Sequence, residues 1–172
     1  MPISMAEKRV LDILGELEIP FIRHEHPPVA TVEEAEKHWT DLKSTHCKNL
    51  FLRNKKGNRH FLVIAPVSKA VDLRRLNRAL GQDRLSFGSP ERLRRFLGVE
   101  PGSVSPFGLI NDPQREVQVI LDTEIRQSES LGFHPNTNTA TLEISRWDFE
   151  RFLDWSGHKA RYLTLDPPPL EY

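Results

Sequence analysis

"CKNLFLRNKKGNRHFLVIAP", residues 47–66, contains two apolar, β-rich runs separated by Lys-Lys-Gly. Gly57 suits a tight turn, so CKNLFLRN and RHFLVIAP are predicted to pair as a β-hairpin. Phe61-Leu62-Val63-Ile64 is apolar at four successive positions. Successive strand residues point to opposite faces, so such a run is apolar on both and predicts a central strand.

Working outward, Ser4 with Glu7 forms a capping box ahead of Val10, Ile13, Leu14 and Leu17, predicting a helix that ends near Glu18, before Pro20. PFIRHEH reads as a short strand stopped by Pro27-Pro28, and Thr31 with Glu34 opens a helix through about His38. Downstream of the hairpin, Asp72 caps a helix with Leu73, Leu76 and Leu80 that stops at Gly81. Ser89-Pro90-Glu91 starts another that closes at Gly98. After Pro101 the pattern turns to strands, FGLIN, EVQVILD, GFH and TATLEIS. A helix from Ser145 to Gly157 and a strand ARYLTL follow. The elements do not alternate as regular βαβ units. They predict an α+β fold: a single domain, residues 1–166, with a mixed β-sheet flanked by helices, followed by a flexible tail, 167–172.

Composition narrows the function classes. No apolar run approaches the roughly 18 residues of a membrane span, and the N-terminus resembles neither a signal nor a transit peptide, which predicts a cytoplasmic protein with no membrane partner. The single cysteine, Cys47, excludes an internal disulfide framework and a cysteine-based zinc cluster. The formal net charge of zero hides a segregation: residues 69–95 carry eight basic and three acidic side chains, residues 96–172 six and twelve. A basic middle suggests a polyanion partner or a solvated helical face.

Three places hold more polar chemistry than folding needs. Lys48-Asn49 interrupts an apolar strand, where the lysine either snorkels at a sheet edge or is aimed into a cleft; the residues alone favour the edge. Gly102-Ser103-Val104-Ser105-Pro106 is a loop able to present backbone N–H groups to an anion or a carbonyl, although the residues alone favour a plain connection. In Gly132-Phe133-His134-Pro135-Asn136-Thr137-Asn138-Thr139, turn chemistry accounts for the asparagines, and Pro135 keeps His134 extended at a strand end. That turn chemistry leaves His134 unexplained. His24 and His26, at strand spacing, lack any accompanying ligand pattern, so no metal site is predicted. No base is in place to make Cys47 a nucleophile, because Lys48 projects to the opposite face. GxGxxG, Walker, HExxH and GxSxG motifs are absent, and no cofactor is predicted.

EHPPVATVEEA at 25–35, CKNLFLRNKKG at 47–57, GSVSP at 102–106 and GFHPNTNTATL at 132–142 together resemble the YbaK-like and prolyl-tRNA synthetase-associated editing domains. Within them the chain looks most like the free-standing Ala-tRNA(Pro) deacylases. The resemblance implies hydrolysis of alanine misattached to the acceptor end of tRNA(Pro), with prolyl-tRNA synthetase or an elongation factor as accompanying partner. It assigns Lys48, Gly102 and His134 to catalysis and Thr31, Asn49, Ser103, Pro106 and Asn138 to the substrate. Part of the chemistry falls to the substrate's own ribose hydroxyl. With tRNA as substrate, Arg75, Arg78 and Arg84 of the basic middle become acceptor-stem contacts. Editors of cysteine or serine share the lysine, and a noncatalytic nucleic-acid-binding module or a protein-interaction domain are the readings from other classes.

Overall fold

The hairpin forms the centre of the computed structural model, which describes residues 2–28 and 44–165. In chain order the elements are α1 (Met5–Glu16), β1 (Ile22–Glu25), β2 (Thr45–Asn54), β3 (His60–Pro66), α2 (Leu73–Leu80), β4 (Leu85–Phe87) and α3 (Pro90–Leu97). A 3-10 helix (Pro106–Asn111), β5 (Val117–Asp122), a second 3-10 helix (Thr123–Gln127), β6 (Ser130–Phe133), β7 (Ala140–Ser145), α4 (Arg146–Ser156) and β8 (Ala160–Leu163) follow. The strands form one mixed sheet in the order β1-β7-β6-β2-β3-β5-β8, with β4 hydrogen-bonded to the far end of β2. β2–β6, β3–β5 and β5–β8 are parallel, and the other pairs antiparallel.

β3 is buried along its whole length, as its two-sided apolarity requires. Leu62 and Ile64 enter a core shared with Val10 and Leu14 of α1, Phe96 and Leu97 of α3, and Phe149 and Phe152 of α4. Phe61, Val63 and Ala65 enter a second core on the other face, under Leu76 and Leu85. Each such side chain contributes about 1.5–3 kcal/mol on leaving water, so this strand fixes the sheet between its helical layers.

The turn of the hairpin is pinned from outside. Gly57 sits at φ +71°, and a Cβ there would lie 2.7 Å from a guanidinium nitrogen of Arg92. The Arg92 guanidinium donates to the Gly57 carbonyl (3.0 Å) and to His60 Nε2 (2.8 Å). The His60 ring packs against both Phe51 and Phe96, with centroids 5.7 and 3.9 Å away. Burial, reinforced by the Arg92, Arg95 and Arg53 cations, pushes its pKa down to about 4.

One expectation is overturned, and two short elements are added. FGLIN is not a strand but the first 3-10 helix, because Pro106 occupies its first turn and Ser105 caps it, Oγ accepting from Phe107 N at 3.1 Å. Its apolar residues are buried by tight winding, not by alternation. The short β4, which extends the sheet beside β2, and the second 3-10 helix were not anticipated. The helix expected from Thr31, the domain boundary at 166 and the tail at 167–172 lie outside the described residues.

His60 supplies a test with a definite sign. Its folded pKa is depressed below the ordinary value of about 6.5, so its neutral form stabilises the fold fully above that pH and progressively less as pH falls toward 4. Urea midpoints should show the wild type losing its advantage over a His60→Gln variant between pH 6.5 and pH 4.5, as order-of-magnitude bounds on that window.

Candidate functional site

Parallel pairing of β2 with β6 sets Thr45 against Leu131 and His46 against Gly132. Cys47 and Phe51 of β2, and Leu131 and Phe133 of β6, enter the first core. Alternation therefore turns Lys48 to the opposite face of the sheet, and the chain leaving β6 carries His134 to that same face. The two residues most in need of a function thus occupy one face of neighbouring strands, just beyond the last paired residues. Because β2 lies between β6 and β3, Lys48 is not at a sheet edge, and the edge reading is corrected. Its half-buried amine donates to the Lys69 carbonyl.

β7 and β1 extend this face outward with Thr141, Glu143 and His24. His24 Nε2 meets Glu143 Oε2 at 2.6 Å, and Glu143 Oε1 accepts from Ser44 Oγ at 2.5 Å. Burial pushes the Glu143 pKa up, but the Ser44 and His24 hydrogen bonds outweigh it and the net shift is downward. His46, on the same face, is pushed down to about 4 by burial, which overcomes the pull of Glu143. Sequence reasoning missed Glu143 and His46. The one available signal was His24 and His26 at spacing two, matched by Thr141 and Glu143 at the same spacing on the paired strand. A cavity of about 530 Å³ borders His24, Ser44, Ser130 and Glu143 at this outer side, without reaching Lys48 or His134.

His134 is held by its own turn. Its Nδ1–H donates to the Ala140 carbonyl at 2.9 Å, so in the neutral ring Nε2 keeps its lone pair. Burial lowers its pKa, assisted by His26 and opposed by the Ala140 carbonyl. At neutral pH His134 is therefore an acceptor with one committed nitrogen and one available for chemistry.

The 102–106 loop reaches the same turn through Asn136, whose Nδ2 donates to the Phe107 carbonyl at 3.3 Å. Gly102 is exposed at φ +88°, a conformation that favours glycine. Ser103 and Pro106 are buried; the Ser103 amide is taken by the Glu100 carbonyl at 3.0 Å. The amides of Gly102, Val104 and Ser105 take no hydrogen bond among the described residues. Such a loop can receive a carbonyl oxygen or an anion. No hydrogen bond among the described residues joins Gly102 to Lys48 or His134; the loop meets the His134 turn through Phe107 and Asn136. Asn138 is half-buried in the His134 turn, where the Thr137 and Thr139 hydroxyls lie 3.2 Å apart. Asn49 faces the first core, and its buried Oδ1 has no hydrogen-bond partner among the described residues. Thr31 lies outside them.

Other chemistry is closed off. Burial pushes the Cys47 thiol up to about 12, which removes it as a nucleophile at neutral pH. Among the described residues, no group of three or more His, Cys, Asp and Glu is placed to hold a metal ion. In the basic middle, Arg92 braces the hairpin, Arg94 pairs with Glu100 at 2.8 Å, and Arg95 lies over the Phe96 ring. Arg78 and Arg84 are exposed, and Arg75 is half-buried. Only part of the charge segregation is left for a partner.

The family model described as "Aminoacyl-tRNA editing domain" matches residues 26–152. The chain is 38% identical over 160 residues to the prolyl-tRNA editing protein ProX of Acetoanaerobium sticklandii, covering 93% of this chain and 98% of that protein. It is 36% identical to the prolyl-tRNA synthetase associated domain-containing protein 1 of Danio rerio, covering 92% and 87%. A crystal structure of a candidate trans-editing enzyme for prolyl-tRNA synthetase superposes with a TM-score of 0.73 at 22% identity, covering 97% of this chain and 100% of that one. That last likeness concerns the fold.

Asn136 combines a hydrogen bond with a left-handed backbone, φ +58°. Asn136→Gly should lose about 1 kcal/mol through the bond, and Asn136→Ala about 1 kcal/mol more through backbone strain, as read from urea unfolding.

Proposed function

The chain belongs to the aminoacyl-tRNA editing domain family, and from that premise we propose that it is a trans-editing deacylase that removes alanine from mischarged tRNA(Pro). Alanine is smaller than proline, and a pocket distinguishes a missing methylene by only about 1–3 kcal/mol, so a synthetase built for proline needs a second sieve. The observation that carries the reading is the parallel pairing of β2 with β6, which directs Lys48 and, immediately after β6, His134 to one face of the sheet, with the His134 turn tied to a loop whose amides are partly unclaimed among the described residues.

In the proposed reaction the aminoacyl ester enters with its carbonyl oxygen toward Lys48 and the Gly102–Pro106 loop. Water adds to the carbonyl carbon, and negative charge builds on that oxygen, where a cation and N–H donors stabilise it. The bond to the ribose oxygen then breaks, releasing alanine and a free terminal ribose. His134 Nε2 orients the water or the aminoacyl group, and the neighbouring ribose hydroxyl helps carry the proton from the water to the leaving oxygen. Ser103, Pro106 and Asn138 shape the surroundings of the terminal nucleotide and its alanine, whereas Asn49, on the same face of β2 as Cys47 and Phe51, is turned toward the first core. Thr31 completes the substrate-binding set.

Arg75, Arg78 and Arg84 are assigned to the acceptor stem, where RNA is met through phosphates and 2′-hydroxyls. The names of the relatives support prolyl-tRNA synthetase as the associated protein. No helix among the described residues is long and apolar enough to cross a membrane, and a tRNA substrate supports a cytoplasmic activity.

Single-turnover deacylation of Ala-, Ser-, Cys- and Pro-tRNA(Pro) tests the assignment. Alanine should be released fastest and proline spared, whereas preferential release of cysteine or serine, or RNA binding without hydrolysis, contradicts it. Lys48→Ala and His134→Ala should each slow alanine release by roughly 10²-fold or more with unchanged circular dichroism. Because the His134 pKa is depressed, activity should persist through neutral pH and fall only below the ordinary histidine range of about 6.5. Fluorescence anisotropy with tRNA should show affinity falling steeply with salt, and an Arg78→Glu, Arg84→Glu pair should flatten the log–log slope by roughly 1–2.

A further inference from the structure

His26 stands immediately beside His134, and the proposed reaction gives it no part. It is 8% exposed, with both ring nitrogens engaged: Nδ1–H donates to the Pro27 carbonyl at 3.0 Å, and Nε2 meets Thr141 Oγ1 at 3.0 Å. With Nδ1–H committed to a carbonyl, the neutral ring offers Nε2 as acceptor, and the Thr141 hydroxyl donates to it. Thr141 is 1% exposed, so no bulk water competes for this bond.

The backbone holds the same pair. β1 continues past its last ladder partners, Glu25 and Ala140, so that the His26 amide donates to the Thr139 carbonyl at 3.0 Å. Ala140, between Thr139 and Thr141, supplies the carbonyl that receives His134 Nδ1–H. The His26 and His134 rings meet edge to face, centroids 6.0 Å apart at 61°. Gly132 leaves room alongside: a Cβ there would lie 3.1 Å from His46 Nδ1 and 3.5 Å from the Thr141 methyl.

We propose that His26, locked by Thr141, is a positioning residue that holds the His134 ring with Nδ1–H on Ala140 and Nε2 toward the substrate. The proposal rests on the deacylase reading above. Without the lock, the His134 ring gains freedom to rotate off the Ala140 carbonyl and to exchange tautomers, and the nitrogen that meets the water is no longer fixed. The other titratable groups on this face are His24 and Glu143, which are bonded to each other, and His46 and Lys48 on β2.

Thr141→Val keeps the volume and removes the hydroxyl; Thr141→Ser keeps the hydroxyl. Single-turnover alanine release across pH, with nitrogen-15 NMR of the His134 ring in the full-length protein, reads both chemistry and tautomer. Thr141→Val should slow release at saturating enzyme by roughly 10-fold with apparent affinity for the aminoacyl-tRNA unchanged. It should raise the acid limb toward the ordinary histidine value and replace a single Nδ1–H tautomer by a mixture. Thr141→Ser should restore all three, and His26→Gln should behave as Thr141→Val does. An unaltered rate, acid limb and tautomer in Thr141→Val, alongside inactive His134→Ala, overturns the positioning role and leaves the deacylase reading standing. Full activity in His134→Ala overturns the reading itself and the proposal with it.

Discussion

Two backbone pairings between parallel strands, Thr45 with Leu131 and His46 with Gly132, decide what this fold can do. A strand alternates its side chains, so the pairing carries Lys48 and His134 to one face together, although 85 positions separate them in the chain. A slip by one residue would send one of them into the aromatic core. Register is held by the cores themselves: Phe51 and Phe133 are buried on one face, and Leu52 packs on the other. The stability of the sheet and the composition of the site are therefore one constraint.

Electrostatics follows from that placement. Removing an imidazole from water disfavours its charged form, and His46 and His134 on this face are both shifted downward with burial as the leading cause. A histidine kept neutral, with one N–H fixed on a carbonyl, is prepared to accept a proton or a hydrogen bond. Ester hydrolysis needs such a group on one side of the carbonyl and donors on the other. On the proposed reading the loop at 102–106 supplies the donors, because among the described residues only its Ser103 amide is taken, by the Glu100 carbonyl.

Much of this was readable from the residues, for identifiable reasons. Two-sided apolarity at Phe61–Ile64 announced an interior strand, and capping residues such as Ser4, Asp72, Ser89 and Ser145 marked helix starts because each satisfies an otherwise unpaired amide locally. FGLIN misled because a short apolar run has no period of its own, and the Ser105-Pro106 start decided its winding. Lys48 read as an edge residue because sheet order is a long-range property. His134 stood out because local turn chemistry left it unaccounted for, whereas the His24–Glu143 and His26–Thr141 pairs emerge only once β1 lies against β7. Arg92, Arg94 and Arg95, among the eight basic residues of the segment 69–95, are engaged within the protein itself, which charge counting does not distinguish from a docking surface.

The central claim is that Lys48 and His134 act on one bound ester as parts of one site. A double-mutant cycle on single-turnover alanine release measures this directly. The account predicts strong non-additivity, with the Lys48→Ala, His134→Ala double variant little slower than the slower single variant. Loss in the double variant equal to the product of the two single losses would mean that the groups act independently, and would contradict it.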